Sequence, residues 1–138
     1  MRPSRDEILL KVAKAYAERS TCLRRRVGAV IGYGGRVLST GYVGSPSGAN
    51  HCTPDNCTPS APCIRTIHAE ANAIAWAARK GVAIEGATLY TTVSPCQSCA
   101  QVIAAAGIER VVFLEEYRDI APIVWLRDFA GIPSIRLL

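Results

Sequence analysis

The chain has 138 residues, of which 49% are apolar and 20% are charged, and its formal net charge is +5. This size and balance predict one soluble domain over residues 1–138, and they exclude a two-domain protein and a membrane-spanning one. The charged N-terminal segment has no signal-peptide apolar region, which predicts a cytoplasmic protein. Positive charge clusters at residues 24–26 without interleaved aromatic side chains, so it favours a small phosphate ester over a polynucleotide as partner.

The apolar pattern predicts a series of helices and strands typical of an α/β protein. A helix comes first, and two β-type runs joined by Gly34-Gly35 then form a hairpin. A Gly-, Pro- and Ser-rich loop covers residues 44–63. Beyond it, helices alternate with strands, which predicts parallel strands with right-handed crossovers. The predicted helices are 6–20, 66–80, 95–106 and 120–129, and the predicted strands are 26–33, 36–42, 87–92, 110–114 and 134–137.

Two short motifs indicate a metal site. His68 and Glu70 form a His-x-Glu motif, and Cys96 and Cys99 form a Pro-Cys-x-x-Cys motif. One imidazole and two thiolates suit zinc, and three protein ligands leave a fourth position open for water, as in catalytic zinc sites. A carboxylate at Glu70 would lie near the metal and could transfer protons. The alternatives are a chance pair of motifs and a structural zinc site, which usually has a fourth Cys or His and does not need the glutamate.

With these motifs, the chain closely resembles the deoxycytidylate (dCMP) deaminase family of the zinc-dependent cytidine deaminase superfamily. The resemblance covers residues 22 to 117 approximately, and its most specific stretch is Arg-Thr-Ile-His-Ala-Glu at residues 65–70. It implies an α/β/α fold of three layers around a mixed five-stranded sheet. It also implies zinc on His68, Cys96 and Cys99, with Glu70 as the catalytic proton carrier in the hydrolysis of dCMP to dUMP and ammonia.

The same resemblance implies substrate contacts and regulation. Backbone groups at Ala69 and Cys96 would contact the base, and Tyr117 and Asp119 fall where the family has a pocket element. Arg79 matches a helix-end arginine linked to subunit contacts and to control by dCTP or dTTP, with Mg²⁺ accompanying such an effector. The family is usually oligomeric, so a dimer, trimer or hexamer is expected. Further predicted substrate-binding residues around the pocket mouth are Arg25, Arg26, Ser45 and Ser47.

Four cysteines remain outside the first motif pair: Cys22, Cys52, Cys57 and Cys63. In the resemblance they correspond to a second, structural zinc site, which would also order the long loop. His51 is an alternative ligand there. The competing interpretation is a set of reduced thiols, with Cys22 buried in the core.

Val43 departs from the family pattern, which usually has asparagine at this place. A valine side chain can neither donate nor accept a hydrogen bond. Either a neighbouring polar residue or water replaces the asparagine, or the substrate carries an apolar group, as 5-methyl-dCMP does. The motifs are also compatible with a deaminase of a modified cytosine nucleoside, a tRNA adenosine deaminase and a zinc-stabilised nucleic-acid-binding module. The Arg-Thr-Ile-His-Ala-Glu stretch argues against the tRNA enzyme, and Glu70 argues against the module.

Overall fold

Five strands form a single mixed sheet with helices on both faces in the computed structural model, which describes residues 1–57 and 63–137. The strands are β1 (Gly28–Tyr33), β2 (Arg36–Tyr42), β3 (Thr88–Val93), β4 (Arg110–Glu115) and β5 (Ser134–Arg136). The helices are α1 (Arg5–Ala17), α2 (Ala69–Lys80), α3 (Gln97–Ala105) and α4 (Ala121–Val124), which continues into a π-helical turn at Trp125–Phe129. None of the described helices is long and apolar enough to cross a membrane.

The sheet has the order β2-β1-β3-β4-β5. Strand β1 is antiparallel to both β2 and β3, whereas β3, β4 and β5 run parallel. Gly34 and Gly35 connect β1 to β2 with φ angles of 59° and 79°, a backbone region that glycine adopts without strain. The predicted hairpin, the parallel second half and the mixed five-stranded α/β fold are therefore confirmed.

The core divides into two apolar layers because side chains along a strand alternate between the faces of the sheet. Val30, Tyr90 and Val112 meet α1 on one face. The next residues along the same strands, Ile31 and Phe113 among them, pack on the other face with α2, α3 and α4. The result is the three-layer arrangement that the resemblance implied.

Three predicted helices differ clearly from the observed ones. Helix α2 begins at Ala69, three residues later than predicted, because Ile67 pairs with Gly44 and His68 has an extended backbone. Helix α1 ends at Ala17, three residues earlier than predicted, because the N–H groups of residues 18–20 bond to carbonyls three residues back and not four. Arg26 donates to the carbonyl of Glu18 at this end. The predicted helix 120–129 is one α-helical turn followed by a π-helical turn, in which the N–H of Ala130 bonds to the carbonyl of Trp125.

A close approach between β2 and α2 sets the position of the α2 amino end. A Cβ atom at Gly41 would lie 2.3 Å from the carbonyl oxygen of Ala69 and 2.6 Å from the amide nitrogen of Ala73. Only glycine allows this separation. The first turn of α2, which carries the His-x-Glu motif, is thus held directly against the sheet.

Candidate active site

The three predicted metal ligands converge at the amino ends of two neighbouring helices. His68 is the N-cap residue of α2, Cys96 is the N-cap residue of α3, and Cys99 lies in the first turn of α3. The Nδ1 atom of His68 is 3.4 Å from the Sγ atom of each cysteine. All three ligand atoms lie within 4.8 Å of one another, and residues 1–57 and 63–137 contain no second group of three such ligands.

This geometry fits a tetrahedral zinc ion. With Zn–S and Zn–N bonds of about 2.3 and 2.05 Å, a tetrahedral angle places the nitrogen about 3.6 Å from each sulfur. The observed separations of 3.4 Å are close to that value. Hydrogen bonds from Cys99 and His68 lower the pKa of the Cys96 thiol, and the contact with Cys96 raises the pKa of the His68 imidazole. Partial positive charge at the helix end further favours the Cys96 thiolate. The contact with Cys96 and burial instead raise the pKa of the Cys99 thiol, so in the metal-free site the negative charge lies on Cys96.

Glu70 lies in the first turn of α2, and only 4% of its surface is exposed. Burial raises the pKa of its carboxyl to about 7, because the charged form loses its hydration. The carboxyl faces the same pocket as His68 and Cys96. The arrangement can therefore hold a metal ion and, next to it, a group able to exchange protons near neutral pH.

We call this cavity the inner pocket. It brings together five of the predicted substrate or catalytic residues with both metal-ligand loops. The lining residues are Arg25, Val27, Val43, His68, Ala69, Glu70, Val93, Ser94, Cys96 and Tyr117. The guanidinium carbon of Arg25 lies 4.6 Å from the centre of the Tyr117 ring, so these two side chains stack at its mouth. Val43 is 3% exposed and forms part of an apolar wall with Val27 and Val93.

A second cavity, the outer pocket, continues from this mouth. It shares Arg25, Val43, His68 and Tyr117 with the inner pocket. Its further lining residues add two arginines and two cysteines, and they are Cys22, Arg24, Cys63, Thr66 and Arg118. The outer pocket is therefore strongly basic and suits an anionic group on a ligand held in the inner pocket.

Several other predicted residues lie away from the inner pocket. Ser45 and Ser47 line a separate groove beside Trp76, and His51 lines the same groove. The Asp119 carboxylate accepts a hydrogen bond from the N–H of Ala121 at the start of α4. Exposed Arg79 occupies the last turn of α2, and Arg26 points toward the end of α1.

The four remaining cysteines do not form a metal cluster in the part of the chain that the structure describes. Cys22 and Cys63 line the outer pocket, whereas Cys52 and Cys57 do not. Hydrogen bonds with Thr66 lower the pKa of the exposed Cys63 thiol to about 7. The second zinc site stays a prediction.

Sequence reasoning missed part of the site. Ser94, Val27 and Val93 line the inner pocket, and Arg24 and Arg118 line the outer one. Ser94 and Val93 could have been predicted from their position, because they directly precede the Pro-Cys-x-x-Cys motif that carries Cys96. Arg24 belongs to the positive cluster at residues 24–26, and Arg118 follows the predicted Tyr117, so adjacency was a signal for both arginines as well.

Comparisons with known proteins agree with this geometry. Residues 3–115 match a family model described as the cytidine and deoxycytidylate deaminase zinc-binding region. A deoxycytidylate deaminase of Mycobacterium phage D29 is 43% identical over 128 residues, covering 83% of this chain and 98% of that protein. One from Enterobacteria phage T2 is 35% identical over 150 residues, covering 79% of each chain.

Among solved structures, the fold matches a dCMP deaminase from cyanophage S-TIM5 crystallised with dCMP and dUMP. The TM-score is 0.87, the sequence identity is 33%, and the alignment covers 99% of both chains. The predicted family resemblance is confirmed. The chain belongs to the cytidine and deoxycytidylate deaminase family of zinc-binding proteins.

Proposed function

We propose that this chain is an enzyme that hydrolyses dCMP to dUMP and ammonia in pyrimidine deoxynucleotide metabolism. The observation that carries the proposal is the buried Glu70 carboxyl beside three converging zinc ligands in one pocket. The full-length match to a deaminase crystallised with dCMP and dUMP supports the choice of substrate.

His68, Cys96 and Cys99 would hold the catalytic zinc ion, since their donor set and spacing suit it. When bound, zinc supplies Lewis-acid chemistry that brings the pKa of a coordinated water close to neutrality. The two helix amino ends keep the ligands in place, and burial of Cys99 and Glu70 limits access of bulk water.

Glu70 is placed to carry protons while oxygen replaces the amino group. Its carboxylate accepts a proton from the attacking water and passes it to ring N3, as the water oxygen bonds to C4. It then takes the second proton of that water and delivers it to the amino group. The C4–N bond breaks, ammonia leaves and a C4 carbonyl remains. A carboxyl whose pKa lies near 7 can accept and release protons at neutral pH.

The rest of the substrate would extend from the inner pocket into the outer one. Backbone groups at Ala69 and Cys96 would contact the base, as both residues line the inner pocket. Arg25 and Tyr117 line both cavities and would contact the sugar and the phosphate. Arg25 has no carboxylate in an ion pair with it among the described residues, so its charge is available to an anion.

A second candidate substrate is a cytosine nucleotide with an apolar group, such as 5-methyl-dCMP. The specific observation is the apolar wall of Val27, Val43 and Val93 in the inner pocket. Replacing Val43 by asparagine should then lower kcat/KM for 5-methyl-dCMP relative to dCMP by about tenfold, the effect of mismatching one methyl group. A Val27→Ala variant serves as a control, because it removes apolar volume from the same wall without adding a polar group. An unchanged ratio in Val43→Asn would exclude this substrate preference.

The loop cysteines would bind a second, structural zinc in the loaded protein. Cys22 and Cys63 already line one cavity, and bound metal would recruit Cys52 and Cys57, which lie on the long loop. Metal analysis of fully loaded, reduced protein should give two zinc ions per chain, and Cys57→Ser should give one. One zinc ion in the unaltered protein would reject the second site.

We further propose that the protein acts in the cytoplasm as a homo-oligomer. Arg79 is exposed in the last turn of α2 and is available to a neighbouring subunit. Regulation by dCTP or dTTP, with Mg²⁺ accompanying the triphosphate, would act through this assembly. Sedimentation of the protein tests the oligomer, and dCMP assays with and without each triphosphate test the regulation. A monomer whose kinetics do not change with either triphosphate would refute both proposals.

The activity itself is tested by mixing zinc-loaded protein with dCMP and following the loss of substrate absorbance. The expected products are dUMP, identified by chromatography, and one equivalent of ammonia. Parallel assays with 5-methyl-dCMP, CMP and deoxycytidine establish the preferred substrate. A sample with zinc bound at His68, Cys96 and Cys99 that forms no deaminated product from any of the four would overturn the proposed function.

A further inference from the structure

Three loops meet at the inner pocket, and each contributes a polar side chain to its lining. Arg25 comes from the loop before β1, Ser94 from the loop between β3 and α3, and Tyr117 from the loop after β4. Ser94 is separated from the metal ligand Cys96 by Pro95 alone. Whatever Ser94 holds is therefore held in a fixed relation to the metal site.

Ser94 fixes the loop that carries Tyr117. The paired register of β3 and β4 ends at Val93 and Glu115. Beyond it, the N–H of Ser94 donates to the carbonyl of Glu115 at 2.8 Å, and the N–H of Tyr117 donates to Ser94 Oγ at 2.7 Å. Ser94 is 4% exposed, so loss of its hydroxyl would leave a backbone donor without its partner next to the pocket.

Tyr117 in turn provides a surface for cations. The guanidinium carbon of Arg25 lies 4.6 Å from the ring centre and that of Arg118 lies 5.6 Å from it, both within range of cation–π attraction. Stacking restricts a long, flexible arginine side chain to one orientation. Arg25 is thereby held where the inner and outer pockets join.

We propose that Ser94 is a positioning residue that sets the preference for 5′-phosphorylated over unphosphorylated pyrimidine deoxynucleosides. Its hydroxyl fixes the backbone of Tyr117, the Tyr117 ring fixes Arg25, and Arg25 meets the phosphate. The proposal rests on the proposed function for the identity of the ligand. It adds a residue whose hydroxyl controls recognition of the phosphate through Tyr117 and Arg25.

Binding of the product pair dUMP and deoxyuridine, measured by calorimetry on zinc-loaded protein, tests this role without requiring turnover. Ser94→Ala should raise the Kd of dUMP about tenfold and lower the discrimination between dUMP and deoxyuridine by a similar factor. Zinc content should stay at the level of the unaltered protein. The matched control is Ser134→Ala, which removes another buried serine hydroxyl, bonded to the carbonyl of Ile132 in a different part of the fold. It should leave the discrimination unchanged.

A double-mutant cycle separates this role from a general structural one. If the hydroxyl acts through Arg25, then Ser94→Ala in an Arg25→Gln background should change the Kd of dUMP much less than it does alone. Additive effects, equal weakening of both ligands, or loss of zinc in Ser94→Ala would overturn the proposal. If Ser94→Ala does not fold, Tyr117→Leu provides the test, because it removes the ring and keeps the backbone N–H that Ser94 binds. It must lower the discrimination between dUMP and deoxyuridine. Unchanged discrimination would refute the positioning role.

Assays of dCMP turnover on the same preparations keep the two proposals apart. Absence of turnover, with discrimination that depends on Ser94, would refute the proposed reaction alone. Turnover of dCMP, with discrimination that is unaffected by Ser94→Ala, would refute the positioning role alone.

Discussion

Two polar clusters lie at opposite ends of the sheet, and they differ in how their charges are satisfied. Toward the amino ends of the parallel strands, the Asp6 carboxylate accepts hydrogen bonds from the Tyr90 hydroxyl at 2.7 Å and from the two terminal nitrogens of Arg110 at 2.9 and 2.7 Å. At the carboxyl ends, buried Glu70 lies beside the metal ligands, and no ion pair within the described residues includes its carboxylate.

The pKa values follow this difference. Hydrogen bonding to Arg110 lowers the pKa of Asp6, and burial, with Asp6 nearby, raises the pKa of the Tyr90 phenol to about 12. Burial instead raises the pKa of Glu70 to about 7. A cluster that satisfies its own charges stabilises the fold, whereas a buried carboxylate outside any ion pair costs stability and indicates function. Mutations at the two ends should therefore affect different properties.

The largest effect is expected at the metal ligands. His68→Ala removes one of three ligands, so it should release the zinc ion of this site. Loss of a group that only orients a metal ligand typically lowers activity by up to about 100-fold. Loss of the ligand itself should therefore lower kcat/KM for dCMP by more than about 100-fold. Metal analysis and a dCMP assay on the same sample check both outcomes. Retained activity after complete loss of this zinc would contradict the assignment of the site.

At the opposite end, Asp6→Asn should destabilise the protein without affecting the reaction. Partial exposure of Asp6 and Arg110 weakens their interaction, so a loss of about 1–2 kcal/mol in the free energy of unfolding is expected. Urea unfolding measures this loss, and kcat for dCMP should not change. Glu7→Gln is the matched control, since it removes a neighbouring exposed charge from the same helix turn. Equal losses in both variants would mean that the Arg110 contact contributes nothing.

The smallest effect is the pH dependence of the stability that Asp6→Asn loses. Because the folded-state pKa of Asp6 lies below its usual value, its stabilising contribution is fully present above the pKa of the unfolded chain. It disappears as the pH falls through the folded-state pKa. The difference between the unaltered protein and Asp6→Asn should be constant above about pH 5 and shrink below about pH 4. A difference that grows on acidification would contradict the direction of the shift.

The sequence allowed the metal centre and the parallel second half of the sheet to be predicted, since both depend on local patterns. His68, Glu70, Cys96 and Cys99 lie in two short motifs, and each motif begins a helix. The link from Ser94 to Tyr117 joins residues 23 positions apart and depends on where two strands end. Single-sequence patterns carry no signal for such a contact.

The metal-site cysteines and the loop cysteines also differ in how far the sequence predicts their positions. Cys96 and Cys99 lie on a helix that packs beside α2, so the fold itself places them near His68. Cys52 and Cys57 lie on a loop whose conformation the apolar pattern does not determine. Their convergence with Cys22 and Cys63 would depend on bound metal, which explains why spacing alone could not establish it.

The most direct test of the proposed mechanism is a combined measurement of bound zinc and dUMP formation in Glu70→Gln. The side chain keeps its size but can no longer exchange protons, so zinc at His68, Cys96 and Cys99 should match the unaltered protein while kcat for dCMP falls by at least about 100-fold. Near-normal kcat with full zinc occupancy would contradict the proton-carrying role of Glu70 and, with it, the mechanism as a whole.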